Sequence, residues 1–506
     1  MSAEAKRLVG QRVMAGFHGL TVPEDLKALV REHQVGNFIL FKRNVQSREQ
    51  LLALCEALQA LALEATGQPA LIAIDQEGGT VSRLSPDCAN VPTAMALAAT
   101  GDAHNAYQAG LITGRELSAM GVNFNLAPVM DINSNPKNPV IGARSYGDTP
   151  ETVSSFGVSA IRGLREGGVL TCAKHFPGHG DTAVDSHLGL PRVEKTLEQL
   201  EACELKPFRA AVEAGVSAIM TTHILFPSID GVPATMSPAI VRGVLRERLG
   251  FDGLIVSDCL MMDAIARFYG TAAGALAACD AGVDLVCVSH DPALAGEACE
   301  EIARRGSAEQ TAQSAARILQ AKRELSALPR PALSVVGCDA HREQNRRMRE
   351  ASLTAVGAPL PALGDRPFFV GCCPFVASQV MTPIERDICF PEWMRRRFGG
   401  ACLVTDINPG AEEIARAVEG ARGASCVALC TFNAHMMPGQ LVLLRELARL
   451  NAPMVVCALR DPYDLCRLPA GVCGILTYEY TEDSLAALEK VLAGTLTPAG
   501  RCPCAL

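Results

Sequence analysis

Residues Gly167–Pro191, GGVLTCAKHFPGHGDTAVDSHLGLP, open on a short apolar run and pass at Lys174 into a segment that glycine and proline interrupt repeatedly. The apolar part, Val169–Lys174, reads as a buried strand. From Lys174 to Pro191 the predicted structure is neither helix nor strand. That segment holds His175, His179 and His187, three of the ten histidines, together with Asp181, Asp185 and the lysine. A loop dense in titratable groups and launched from a strand end is where catalytic chemistry usually sits.

Working outward, the same kind of apolar run recurs at Val13–Phe17, Val35–Phe41, Leu71–Asp75 and Val122–Pro128. It recurs again after the loop at Ala218–His223, Leu254–Asp258 and Leu285–Ser289. Amphipathic stretches with helical spacing lie between them: Arg48–Ala65, Asn105–Met120, Glu151–Glu166, Leu197–Glu213 and Pro238–Leu249. Strand and helix alternating eight times predicts a (β/α)8 TIM-like barrel, placed at residues 1–325. A linker with a polar helix, Asp339–Val356, is expected over 326–366 between Pro/Gly-rich stretches. Five further apolar runs, Phe368–Gly371, Ala401–Thr405, Ser425–Thr431, Met454–Leu459 and Gly474–Tyr478, alternate with helices and predict a C-terminal α/β sandwich (an open sheet) over 367–506.

Polar residues stand where the barrel strands end: the third ends at Asp75, the fifth at Lys174 and His175, the sixth at His223, the seventh at Asp258. Asp131 and Arg144 follow the fourth. Packing alone gives no reason for charge at strand ends, and in a barrel these positions converge on one mouth. The expectation is a polar pocket there.

Composition bounds the partners. Of 506 residues, 49% are hydrophobic and 20% charged, and the net charge is −8. An acidic balance without a basic face argues against nucleic acid. Charged residues through the first twenty positions fit no signal peptide, and no later run reaches membrane-spanning length, so the expectation is a cytoplasmic protein with no membrane partner. Twenty scattered cysteines without C-x-x-C spacing are expected to be reduced core residues.

Asp258, in GFDGLIVSDCLMMDAI, has two readings: a nucleophilic carboxylate aimed into the pocket by its strand, or the N-cap of the following helical run. Asp185 and His187 in D-S-H form either an orienting pair, with the carboxylate fixing the tautomer and raising the histidine pKa, or a structural loop hydrogen bond. Metal binding by His175, His179 and His187 ranks low, because their spacing matches no ligand geometry. Lys174 and His175 offer hydrogen-bond donors to a ligand, and Gly78–Gly79 after Asp75 is a tight turn. Phosphate-cradling glycine motifs are absent, so no nucleotide and no other cofactor is expected.

The stretches DQEGGTVSR (Asp75–Arg83), NPVIGARSYGD (Asn138–Asp148), KHFPGHGDTAVDSHLGLP (Lys174–Pro191), THILFPSIDGVPATMSP (Thr222–Pro238) and GFDGLIVSDCLMM (Gly250–Met262) resemble the family 3 glycoside hydrolases, in the branch of the bacterial β-N-acetylglucosaminidases. The resemblance implies a retaining exo-glycosidase acting on a small carbohydrate with a terminal N-acetylglucosamine. Asp258 would be the nucleophile and His187 the acid/base, partnered by Asp185. Asp75, Arg83, Arg144, Lys174 and His175 would bind the sugar, with His223 a secondary candidate and no metal involved. Thr80 stands where the family usually has arginine, and Ala143 where aspartate is common. In other branches the second domain supplies the acid/base; here the D-S-H loop would supply it from the barrel. A neutral histidine base does not repel an anion, which leaves phosphorolysis as an alternative to hydrolysis. A sugar-binding protein without catalysis is the rival from another class.

Overall fold

The eight apolar runs of the first 290 residues become parallel strands: β1 (Val13–Gly16), β2 (Asn37–Leu40), β3 (Leu71–Ile74), β4 (Phe124–Asn125), β5 (Leu170–Phe176), β6 (Ala218–Thr221), β7 (Leu254–Cys259) and β8 (Leu285–Val288). The last closes on the first, with Val13 opposite Val286 and Ala15 opposite Val288, so the sheet is a closed barrel. The computed structural model describes residues 3–182, 189–326, 328–373 and 388–506.

The strands are apolar on both faces because both faces are covered. Leu71 and Ala73 point inward, into a cluster with Met14, Phe124, Met220 and Val256. Ile72 and Ile74 point outward, against the helices. Local signals set the helix limits. Ser47 accepts a hydrogen bond from the Gln50 N–H at the start of Arg48–Thr66, and Gly67 closes that helix at φ 69°.

Four sequence expectations change in detail. The fourth strand keeps only Phe124–Asn125 of the run Val122–Pro128, since proline has no N–H to give a ladder. The helix expected over Leu197–Glu213 is two, Leu197–Ala202 and Leu205–Glu213. Pro207 lacks an N–H and its ring crowds the carbonyl four residues back, at Cys203, which breaks the continuous run. The polar helix stops at Ser352, and Thr354–Gly357 forms strand β9 instead, paired antiparallel with Cys473–Leu476. Finally, β5 continues to Phe176, so Lys174 and His175 stand at the strand's end as expected, while the strand takes in the start of the segment read as loop.

The second sheet contains β9, β10 (Pro367–Cys372), β11 (Ala401–Thr405), β12 (Cys426–Thr431), β13 (Met454–Ala458) and β14 (Cys473–Leu476), in the order β11-β10-β12-β13-β14-β9. Apolar clusters cover both of its faces, which makes it an α/β sandwich. One cysteine expectation is corrected: Cys373 and Cys389 form a disulfide. They stand sixteen positions apart, too far for a spacing rule to pair, and only the fold brings them together. The other described cysteines are free thiols. Among the described residues no helix is long and apolar enough to cross a membrane.

Polar groups also hold the barrel from beneath. Asp284, just before β8, is fully buried and accepts hydrogen bonds from the Ile255 N–H (3.0 Å), Ser314 Oγ (2.8 Å) and Arg317 Nη1 (3.1 Å), and it pairs with Arg246. Removing one member of such a network leaves buried charge uncompensated. Asp284→Ala is expected to lower unfolding free energy by roughly 3–5 kcal/mol in urea denaturation.

Candidate active site

The strand ends of the barrel enclose a cavity of about 540 Å³ whose lining includes Asp75, Arg83, Arg144, Lys174, His175 and Asp258. Six of the residues singled out from sequence therefore share one mouth.

The floor of the cavity is an ion-pair quartet. Lys174, carried by the end of β5, places Nζ 2.7 Å from Asp75 Oδ1 and 2.7 Å from Glu77 Oε1. Arg144 grips Glu77 with two parallel hydrogen bonds, Nε to Oε2 and Nη2 to Oε1, both 2.8 Å. Burial disfavours charge on Glu77, but Arg144 and Lys174 outweigh it and hold the carboxyl far below the usual range. Burial likewise opposes the Lys174 ammonium, and Asp75 and Glu77 more than restore it. Two cations and two anions in mutual contact cancel, which is how four charges persist with little water. Asp75 keeps 19% of its side chain exposed and can accept from a ligand hydroxyl. Arg83 stands beside the quartet, near Asp75 and Glu77.

Glu77 was not singled out from sequence, although it joins Lys174 to Arg144. Its position two residues past Asp75, ahead of two glycines, reads as part of a turn. The available signal was a charged residue in a segment otherwise destined for burial.

A second group sits on the wall. His175 Nδ1 lies 2.7 Å from Asp131 Oδ2, and the same carboxylate accepts from the backbone N–H groups of His175 and His179. An ionised carboxylate only accepts, so Nδ1 carries the proton and Nε2 is the ring's free-electron-pair nitrogen in the neutral form. Burial works against the Asp131 charge, and His175 and the His179 N–H overcome it, keeping the carboxyl low. His179 Nδ1 bonds Thr182 Oγ1 at 2.9 Å. Among the described residues no group of three or more His, Cys, Asp or Glu side chains could hold a metal ion.

Asp258 ends β7 half-buried in the cavity lining, and its Oδ1 accepts from the Cys259 N–H at 2.7 Å. His223 is placed differently. It is fully buried, with Nδ1 3.0 Å from Thr235 Oγ1 and Nε2 2.9 Å from the Cys259 carbonyl, behind the end of β7. Asp185 and His187 lie outside the described residues.

The second domain fastens the two loops that meet in the quartet. The Ala143 N–H, next to Arg144, donates to Asp461 Oδ1 at 2.9 Å, and Asn133 Nδ2 donates to Tyr463 Oη at 2.9 Å. The Thr93 N–H donates to Glu479 Oε2 at 3.1 Å, while Glu479 Oε1 accepts from Arg349 Nε at 2.6 Å. Gly79, at φ 54°, passes so near that a Cβ there would lie 2.6 Å from Glu479 Oε2. Ala143 is buried in one apolar cluster with Tyr463 and Tyr478. An aspartate at 143 would bring a second negative charge beside Asp461, which explains the alanine.

The family model for the glycosyl hydrolase family 3 N-terminal domain matches residues 6–321. The chain belongs to glycosyl hydrolase family 3. It is 36% identical over 369 residues to beta-hexosaminidase A of Pseudoalteromonas piscicida, a match covering 66% of this chain and 62% of that protein. The chain thus spans less than two thirds of that relative's length. It is also 36% identical over 291 residues to a beta-hexosaminidase of Thiobacillus denitrificans, covering 56% of this chain and 80% of the relative. Among solved structures, the family 3 beta-N-acetylglucosaminidase from Paenibacillus sp. str. FPU-7 superposes with a TM-score of 0.92 at 39% identity, covering 100% of this chain and 99% of that one. The family 3 pairing of a barrel with an α/β sandwich therefore extends over the whole chain.

His179 supplies a pH signature. Burial, with His175 adding to it, lowers its pKa to about 4 from 6.5. Between these values the unfolded chain binds the proton and the folded one does not. Stability is therefore expected to rise with pH through this window, by about 3 kcal/mol, and to be complete above it. Urea midpoints measured below and above the window should differ less in His179→Asn than in the parent.

Proposed function

We propose that this protein is a retaining, exo-acting β-N-acetylglucosaminidase that removes terminal β-linked N-acetylglucosamine from small glycans. The observation that carries the reading is the half-buried Asp258 carboxylate at the end of β7, in one cavity with the Lys174–Asp75–Glu77–Arg144 quartet. The beta-N-acetylglucosaminidase and beta-hexosaminidase names of the similar proteins supply the substrate class.

In this reading Asp258 attacks the anomeric carbon while His187, oriented by Asp185, protonates the leaving oxygen. Water then opens the glycosyl-aspartate with His187 as base, and configuration is retained. Asp75, Lys174 and Arg83 hold sugar hydroxyls, Arg144 fixes the floor, and His175 presents Nε2 from the wall. His223 acts through the Cys259 carbonyl as a positioning residue behind the nucleophile. Asp131 serves His175 in the same way. The cavity suits one sugar at a time from cytoplasmic muropeptide-like or chitooligosaccharide fragments. Residues 1–325 make the catalytic domain, and 367–506 brace its loops.

Asp258→Ala is expected to reduce release of nitrophenol from p-nitrophenyl N-acetyl-β-glucosaminide by about 10³-fold or more, as removal of a covalent nucleophile does. An unchanged rate contradicts the assignment.

One observation favours a second reading. Lys42 and Arg43 also line the cavity, and Arg43 donates to the carbonyls of Phe17 at 2.9 Å and Ser289 at 2.7 Å. Two cationic side chains on the cavity wall suit an incoming anion, so phosphate could replace water as acceptor. Incubation in phosphate should give free N-acetylglucosamine if hydrolysis holds. Accumulation of a sugar 1-phosphate would establish phosphorolysis instead.

A further inference from the structure

Cys259 follows Asp258 directly and lies half-buried in the cavity lining. Cys287 is its register partner on β8 and lines the same cavity. The register shifts between Val256 and Cys259, yet both cysteines line the one cavity, and neighbouring strands run about 4.8 Å apart. That separation falls within the roughly 4.4–6.8 Å that a disulfide spans between Cα atoms. Cys287 Sγ sits 3.1 Å from Ser289 Oγ, and Arg43, bonded to the Ser289 carbonyl, stands near enough for its charge to act on Cys259.

We propose that Cys259 is a covalent modification site in the mouth of this cavity, oxidised by hydrogen peroxide to a sulfenic acid that Cys287 captures as a disulfide. The inference rests on the reading of Asp258 as nucleophile only for its effect on activity. A cysteine reacts as its thiolate, in partly exposed, electropositive surroundings. Cys259 meets those conditions. The hydrogen bond from the Cys287 thiol outweighs burial, the Ser289 hydroxyl and the backbone at Met261 and Ser289 add to it, and the Cys259 thiol is drawn down to about 7. Core cysteines differ: burial pushes Cys55 up to about 12 and raises Cys172 and Cys299 as well.

The chemistry balances with peroxide as the oxidant. The Cys259 thiolate forms an S–O bond as the peroxide O–O bond breaks and hydroxide leaves, so the sulfur loses two electrons. The Cys287 sulfur then attacks the sulfenic sulfur. An S–S bond forms, the S–O bond breaks, and the departing hydroxide leaves as water with the Cys287 proton. In sum, two thiols and one peroxide give one disulfide and two waters. Activity should respond because the Cys259 N–H bonds Asp258 Oδ1 and the Cys259 carbonyl is tied to His223. A tether to β8 pulls on the residue that aims the carboxylate.

The test treats the full-length protein with peroxide at neutral pH, followed by peptide mapping and rate measurement. The expected result is a new Cys259–Cys287 linkage, with the rate reduced about tenfold or more and restored by dithiothreitol. Untreated protein carried through the same reductant controls for Cys373–Cys389. Cys287→Ser should leave a sulfenic acid at Cys259 that dimedone labels. Cys259→Ser should keep its own untreated rate after peroxide. Mapping reads the modification without reference to activity, so a linkage formed without loss of rate supports the thiol assignment and counts against the role given to Asp258. Peroxide inactivating Cys259→Ser as fast as the parent, or oxidation mapping to the exposed Cys466 with Cys259 unmodified, overturns the proposal.

Discussion

Lys174 carries its ammonium into the barrel wall, where only 3% of the side chain stays exposed, and carboxylates at 2.7 Å on two sides keep it charged there. Burial by itself would neutralise the lysine, and a single carboxylate would leave the far side of the ammonium unsatisfied. Asp75 and Glu77 answer it together, and Arg144 in turn answers Glu77. The result links the ends of β3 and β5 to the loop after β4 through charge-assisted hydrogen bonds of 2.7–2.8 Å. Asp258 on β7 then faces a floor whose geometry is fixed before any ligand arrives, the preorganisation that makes binding and transition-state stabilisation effective.

The second domain bears on the same constraint. Glu479 and Asp461 hold the backbone of the two loops that deliver Glu77 and Arg144, and Arg349 anchors Glu479 from the helix between the domains. A surface loop carrying a buried charge would otherwise have few contacts to fix it. The sandwich therefore serves the barrel mechanically, through backbone hydrogen bonds and the apolar cluster around Ala143.

Much of this could be read in the chain, and the remainder follows a physical rule. The barrel was legible because a fully covered parallel sheet writes each strand as a continuous apolar run, and the polar strand ends at Asp75, Lys174, His175 and Asp258 stood out against it. Glu77 was hidden because its meaning lies in two partners remote in sequence, 67 residues on for Arg144. The bond from Thr93 to Glu479 spans 386 positions and that from Ala143 to Asp461 spans 318, beyond any local pattern. Cys373 and Cys389 are paired for the same reason by the fold and not by spacing. At His223 the sequence could not show the contacts that the fold supplies, Nδ1 with Thr235 and Nε2 with the Cys259 carbonyl.

The proposed function depends most on the quartet organising sugar binding, and Glu77→Gln tests that most directly, since the amide keeps the side chain's shape and removes its charge. KM and kcat for p-nitrophenyl N-acetyl-β-glucosaminide should be compared with the parent, with a thermal melt to confirm that the variant is folded. The expected result is a folded protein whose kcat/KM falls by at least about tenfold, equivalent to ~1.4 kcal/mol of lost transition-state stabilisation. A folded variant with the parent's kcat and KM would contradict it.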